Sequence, residues 1–85
     1  MLVETDVQDV LPDGTITRLT LNTEAMIVTI SRNEPDQSFM IEKIKIVNHD
    51  GVENALDALS EYLHRYCIYS IDVECINGNK ATLNI

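Results

Sequence analysis

Apolar residues recur along this chain with two periods. Between residues 50 and 66, Val52, Ala55, Leu56, Leu59, Tyr62, Leu63 and Tyr66 fall at i, i+3, i+4 and i+7. That is the stripe of an α-helix lying on a sheet. Asp50 stands where an N-cap belongs, and Glu53 three residues later has capping-box spacing. Elsewhere the period is two. TITRLTLN (15–22) places Leu19 and Leu21 on one face of a strand. AMIVTIS (25–31) is apolar on both faces, as a central strand is. The short link Asn22-Thr23-Glu24 makes these two a hairpin.

Residues 3–11, VETDVQDVL, fit two patterns. Val3, Val7, Val10 and Leu11 suit a helical face, but the Val and Thr content favours strand, and we assign strand. Pro12-Asp13-Gly14 is a turn, and 33–37 is a loop. In SFMIEKIKIV (38–47), Phe39 and Ile41 share one parity and Ile44 and Ile46 the other. A bulge near Glu42-Lys43 returns all four to one face. After the helix, Tyr69, Ile71, Val73 and Cys75 point inward on one strand, and Ala81, Leu83 and Ile85 on the next. A three-residue loop, Asn77-Gly78-Asn79, pairs Cys75 with Ala81, Val73 with Leu83 and Ile71 with Ile85, so that partners share a face. The predicted fold is α+β: an antiparallel β-sheet packed against one α-helix, in the order β-β-β-β-α-β-β, as a single domain over 1–85.

The chain has 85 residues, 45% of them hydrophobic, which suits one small globular core and argues against disorder. The apolar runs are too short for a transmembrane helix, and the acidic start MLVETDVQDV does not read as a secretory signal. The expected setting is the cytoplasm. Two cysteines fit no disulfide framework, so Cys67 and Cys75 are expected as reduced, buried hydrophobes. Met26 and Met40 are expected to fill core gaps, and Tyr62, Tyr66 and Tyr69 to pack inward.

Charge changes the picture more than composition does. The formal net charge is −8, from 14 acids and 6 bases. Residues 1–13 hold Glu4, Asp6, Asp9 and Asp13, and residues 50–61 hold Asp50, Glu53, Asp57 and Glu61, with no base in either segment. The remainder is balanced, so the whole excess sits in these two stretches. Such a chain repels phosphate, which disfavours direct nucleic-acid binding and anionic membranes. It attracts a basic protein surface.

No constellation of catalytic or metal-ligating residues stands out. His49, His64, Cys67 and Cys75 lack metal-site spacing, and no cofactor motif is present. Cys67 with His64 at i, i+3 has nucleophile–base spacing, but Cys67 continues the apolar stripe and reads as core. Asp72 and Glu74 share a solvated strand face, which gives neither carboxyl the desolvation that acid–base work requires. We expect no enzyme, no cofactor and no bound metal.

The expectation is an acidic protein-binding module. Its partner surface comprises Glu53, Asp57 and Glu61, spaced four apart on the helix, helped by Glu4, Asp6, Asp9 and Asp13. Small phage or mobile-element inhibitors of host defence, and immunity proteins that neutralise nucleases, are similar in size and charge, without a shared motif. The expected mode is to cover a basic, nucleic-acid-binding surface of a target. The alternative is an assembly subunit that self-associates through a sheet edge or an apolar patch, giving a homodimer. On that view Lys43 and Lys45 guard against unwanted edge pairing.

Overall fold

The structure is a computed structural model and describes residues 2–74 and 78–85. The side chains of Val73 and Glu74 lie outside that description. Six strands and one helix follow the expected order: β1 (Glu4–Val10), β2 (Ile16–Asn22), β3 (Met26–Ser31), β4 (Met40–Ile46), α1 (Val52–Arg65), β5 (Ser70–Glu74) and β6 (Lys80–Asn84). The fold is α+β. The hydrogen bonding divides the strands, however. β1-β2-β3-β4 form one antiparallel sheet, and β5-β6 form a separate two-stranded one.

The core lies between α1 and one face of these strands. Leu19, Leu21, Met26, Val28 and Ile30 meet Ala55, Leu59 and Leu63 in one buried cluster, which Ile68 and Ile71 extend to the start of β5. β3 is the central strand. Its Met26, Val28 and Ile30 pair with Ile46, Ile44 and Ile41 of β4. That pairing requires one extra residue on β4, because Thr29 faces Lys43 while Ile30 faces Ile41. Glu42 is the extra residue, so the bulge lies where the apolar parity demanded it.

The β2–β3 turn is held by Thr23. Its hydroxyl donates to the Met26 carbonyl (2.9 Å) and accepts from the Met26 amide (3.0 Å). The Ala25 carbonyl then accepts from the amides of Val47 and Asn48 (2.7 and 3.1 Å), tying this turn to the entrance of the helix. Here the predicted cap fails. A 3₁₀ turn, His49–Gly51, precedes α1, and the Asn48 side chain caps it by accepting from the Asp50 amide (3.1 Å). Gly51 occupies the N-cap of α1 itself, without a side-chain cap. A Cβ on Gly51 would lie 2.7 Å from the Ala25 Cβ. Close approach to Ala25 selects glycine there, so Asp50 sits one residue too early to cap α1.

The C-terminus of α1 is a Schellman motif. The Ile68 amide donates to the Leu63 carbonyl (2.9 Å) and the Cys67 amide to the His64 carbonyl (3.0 Å). Leu63 and Ile68 make the accompanying apolar contact in the core cluster. Cys67 takes the left-handed position, with φ of 61°.

This turn overturns two expectations. Cys67 is exposed rather than core, because the left-handed residue throws its side chain away from the helix stripe. Tyr69 is 59% exposed, because the turn resets the parity and sends Ile68 inward in its place. The Tyr69 ring rests instead against His64, centroids 5.1 Å apart. Met40 is a third correction. Phe39 and Ile41 on either side face the core, so Met40 points outward and is 70% exposed, while Met26 is fully buried.

The β5–β6 register is a further correction. Ile71 pairs with Leu83 and Val73 with Ala81, two residues from the expected pairing with Ile85 and Leu83. A slip of two preserves which residues share a face, so the parity argument does not distinguish the two registers. The expected places of Cys75 and Asn77, and of the inward side chain of Val73, lie outside the described residues.

Candidate functional site

α1 has its apolar stripe on the sheet, so its acids point away from it. Glu53, Asp57 and Glu61 are all exposed on that outer side. Successive acids in this row are about 6 Å apart along the axis, from a rise of about 1.5 Å per residue. Glu61 is neutralised by Arg65 one turn on, at 2.8 Å. Among the described residues, Glu53 and Asp57 have no ion-pair partner. Glu53 gains from the helix dipole in the first turn. Asp57 lies a turn further in, where the dipole gives less.

The acids of residues 4–13 lie elsewhere. Leu19 and Leu21, on the core face, pair with Val7 and Thr5. Glu4 and Asp6 pair with Asn22 and Thr20 and therefore occupy the opposite face of the sheet. The helix acids stand above the core layer, and Glu4 and Asp6 stand below the sheet. The fold does not join the two acidic segments into one patch.

Three of these four acids have local partners. Asp6 accepts from the Asn22 side-chain amide at 3.1 Å. Asp9 lies 3.8 Å from Arg18, which also grips Glu42 through two contacts of 2.9 and 3.0 Å. Asp13 accepts from the Thr15 amide at 2.9 Å. That bond, with one from the Thr15 hydroxyl, holds the Asp13 carboxyl below its ordinary pKa by stabilising the charged form. All of this serves the sheet and its turn, whereas Glu53 and Asp57 of the helix row are not engaged in this way among the described residues.

Among the described residues, His64 and Cys67 do not assemble into a nucleophile–base pair, and the Glu74 side chain of the other pair lies outside the description. His64 Nε2 lies 2.6 Å from the main-chain oxygen of Ile85. Among the described residues no hydrogen bond links His64 to the Cys67 thiol. Asp72 accepts from the Thr82 hydroxyl at 2.6 Å on an exposed strand face. The described residues contain no cluster of three metal-ligating side chains and no helix long and apolar enough to cross a membrane. An open groove of about 500 Å³ runs between the start of β4 and β5, lined by Phe39, Met40, Ile41, Cys67, Ile68 and Tyr69 among others. Sequence reasoning missed it, because it depends on the sheet being split in two.

β1 is exposed along its whole length, including Val7, which points to the core side yet is 51% exposed. The helix covers the inner strands and leaves this edge bare. Comparison with protein-family models, with curated proteins and with solved structures gave no match to this chain.

Proposed function

We propose that this protein is a non-enzymatic, acidic binding module that acts in the cytoplasm, and that the outer face of α1 is its docking surface. Glu53, Asp57 and Glu61 meet lysine and arginine side chains on a partner protein. The partner surface is one that otherwise holds nucleic acid, so the carboxylates take the places of phosphates. The module thus acts as an inhibitor, of the kind that phages or mobile elements direct against host defence or that neutralises a toxic nuclease.

The observation that carries this reading is that, among the described residues, Glu53 and Asp57 have no ion-pair partner. Like charges at i, i+4 destabilise a helix by about 0.2–0.5 kcal/mol per pair. The row tolerates two such pairs, Glu53–Asp57 and Asp57–Glu61, and relieves only the last acid, through Arg65. A basic partner removes that repulsion on binding. Glu4 and Asp6, on the other side of the sheet, and Asp9 and Asp13, held by Arg18 and Thr15, help through the long-range field rather than through the helix contact.

Capture of a partner from a lysate of the native host, at low and at moderate salt, tests the reading. A captured basic protein whose retention falls steeply as salt rises supports it, because exposed charge pairs are screened over about 8–10 Å at such ionic strengths. Retention of the same partner at all salt concentrations would refute it.

A further inference from the structure

The uncovered face of the four-stranded sheet differs electrostatically from the rest of the molecule. Residues on this face are those that pair away from the core: Glu4 and Asp6 on β1, Arg18, Thr20 and Asn22 on β2, Ile27, Thr29 and Ser31 on β3, and Met40, Lys43 and Lys45 on β4. Arg18 draws Asp9 and Glu42 to the same side. The face therefore carries four acids (Glu4, Asp6, Asp9, Glu42) against three bases (Arg18, Lys43, Lys45), a net charge of −1, in a chain of net charge −8. It is a nearly neutral surface on an acidic protein.

Its charges are also sorted. Asp9, Arg18 and Glu42 form an ion-paired group of net charge −1 toward one end of the face. What remains is an acidic strip on β1 and a basic strip on β4, at opposite edges, separated by half-buried Thr20, Asn22 and Ser31 and by Thr29, which is buried beneath its neighbours. Among the described residues, neither Lys43 nor Lys45 has an ion-pair partner. We propose that this face docks a second copy of the chain, with β1 of each copy lying over β4 of the other. A two-fold axis parallel to the strands produces that arrangement. It places Glu4 and Asp6 against the partner's lysine strip twice over, in a closed, self-complementary dimer. A two-fold axis across the strands would stack β1 on β1 and β4 on β4, with like charges facing, and is disfavoured.

The dimensions fit a reversible association. Stacked sheets lie about 10 Å apart, a gap that a lysine and a carboxylate reaching toward each other can close. Four strands of six or seven residues offer roughly 400 Å² per copy, from a strand spacing of about 4.8 Å and a rise of about 3.3 Å. That is the scale of a weak dimer rather than a permanent one. α1 packs on the other side of the sheet, so both helices remain outward in the dimer. The inference is independent of the helix reading and is tested on the purified chain alone.

The test is sedimentation equilibrium of the parent and of two charge-reversed variants, E4K/D6K and K43E/K45E, loaded from on the order of 10 µM to 1 mM. The parent should dimerise, and more weakly as salt rises. Each variant alone should self-associate about tenfold more weakly or worse, because its face then carries one sign at both edges. An equimolar mixture of the two variants should regain the dimer, since an all-basic face then meets an all-acidic one. That rescue also shows that both variants fold. A parent that stays monomeric throughout, or variants that dimerise as well as the parent, would overturn the proposal, as would a mixture that fails to rescue while circular dichroism shows both variants folded.

Discussion

Cys67 holds the left-handed position after α1, where glycine is the commonest residue because it has no Cβ to crowd the following carbonyl. Replacing it with glycine therefore removes strain and keeps both Schellman hydrogen bonds, which are made by main-chain atoms. An L-residue in this conformation costs about 1–2 kcal/mol. Glycine returns part of that gain, because its freer unfolded chain costs about 0.4–1 kcal/mol on folding. The Cys67 side chain is exposed, so its loss removes little packing. The expected net effect of Cys67→Gly is a stabilisation of about 0.5–1 kcal/mol. For a domain of this size that raises Tm by about 2–8 °C. Urea unfolding and a thermal melt, both under reducing conditions, measure it. Cys67→Ala is the control, because alanine removes the thiol and keeps the Cβ. It should not exceed the parent. If Cys67→Gly were no more stable than the parent, or Cys67→Ala gained as much, strain at the helix end would not be the cause.

Three further outcomes follow from the packing and the charges. Gly51→Ala should destabilise by about 1–3 kcal/mol in urea unfolding, because the new Cβ meets Ala25 at 2.7 Å where the turn and helix entrance are tied together. Leu59→Ala, at a fully buried position facing the sheet, should cost about 2–5 kcal/mol in the same assay; less than 1 kcal/mol would mean that α1 is not seated on the core. The Asp13 carboxyl has a lowered native pKa, so its charge adds stability at pH values above the ordinary carboxylate range, and that contribution disappears as pH falls through the lowered value. Melts between about pH 5 and about pH 2 should accordingly show the parent losing more Tm than Asp13→Asn, and equal losses would contradict the Asp13–Thr15 bond.

The parts of the fold that alternate or recur over many residues were legible in the sequence. The helix, the β2–β3 hairpin and the bulge at Glu42 follow from where Leu, Ile and Val must go, since burial penalises every wrong register. The misplaced residues lie where one local geometry decides. Cys67 and Tyr69 depend on a left-handed residue that no pattern announces when it is not glycine. The cap at Asn48 depends on Gly51 approaching Ala25, a contact between segments far apart in sequence. The β5–β6 register slipped by two because face parity repeats at that interval. The division into two sheets had no local signal, because it concerns the far edges of β4 and β5.

The candidate site was legible only as charge. Counting acids located both segments, but their relation depends on strand pairing. Only the register of Thr5 and Val7 against Leu21 and Leu19 turns Glu4 and Asp6 away from α1. The groove between β4 and β5 and the sorted charges of the uncovered face are likewise products of topology.

The most direct test of the central claim compares capture of a basic partner by three proteins: the parent, the helix variant E53Q/D57Q/E61Q and the strand variant E4Q/D6Q. The two variants remove carboxylates from opposite sides of the sheet, and circular dichroism checks that each is folded. The account predicts that the helix variant loses the partner at moderate salt while the strand variant retains it. Retention by the helix variant together with loss by the strand variant would contradict the account and place the binding surface on the other face.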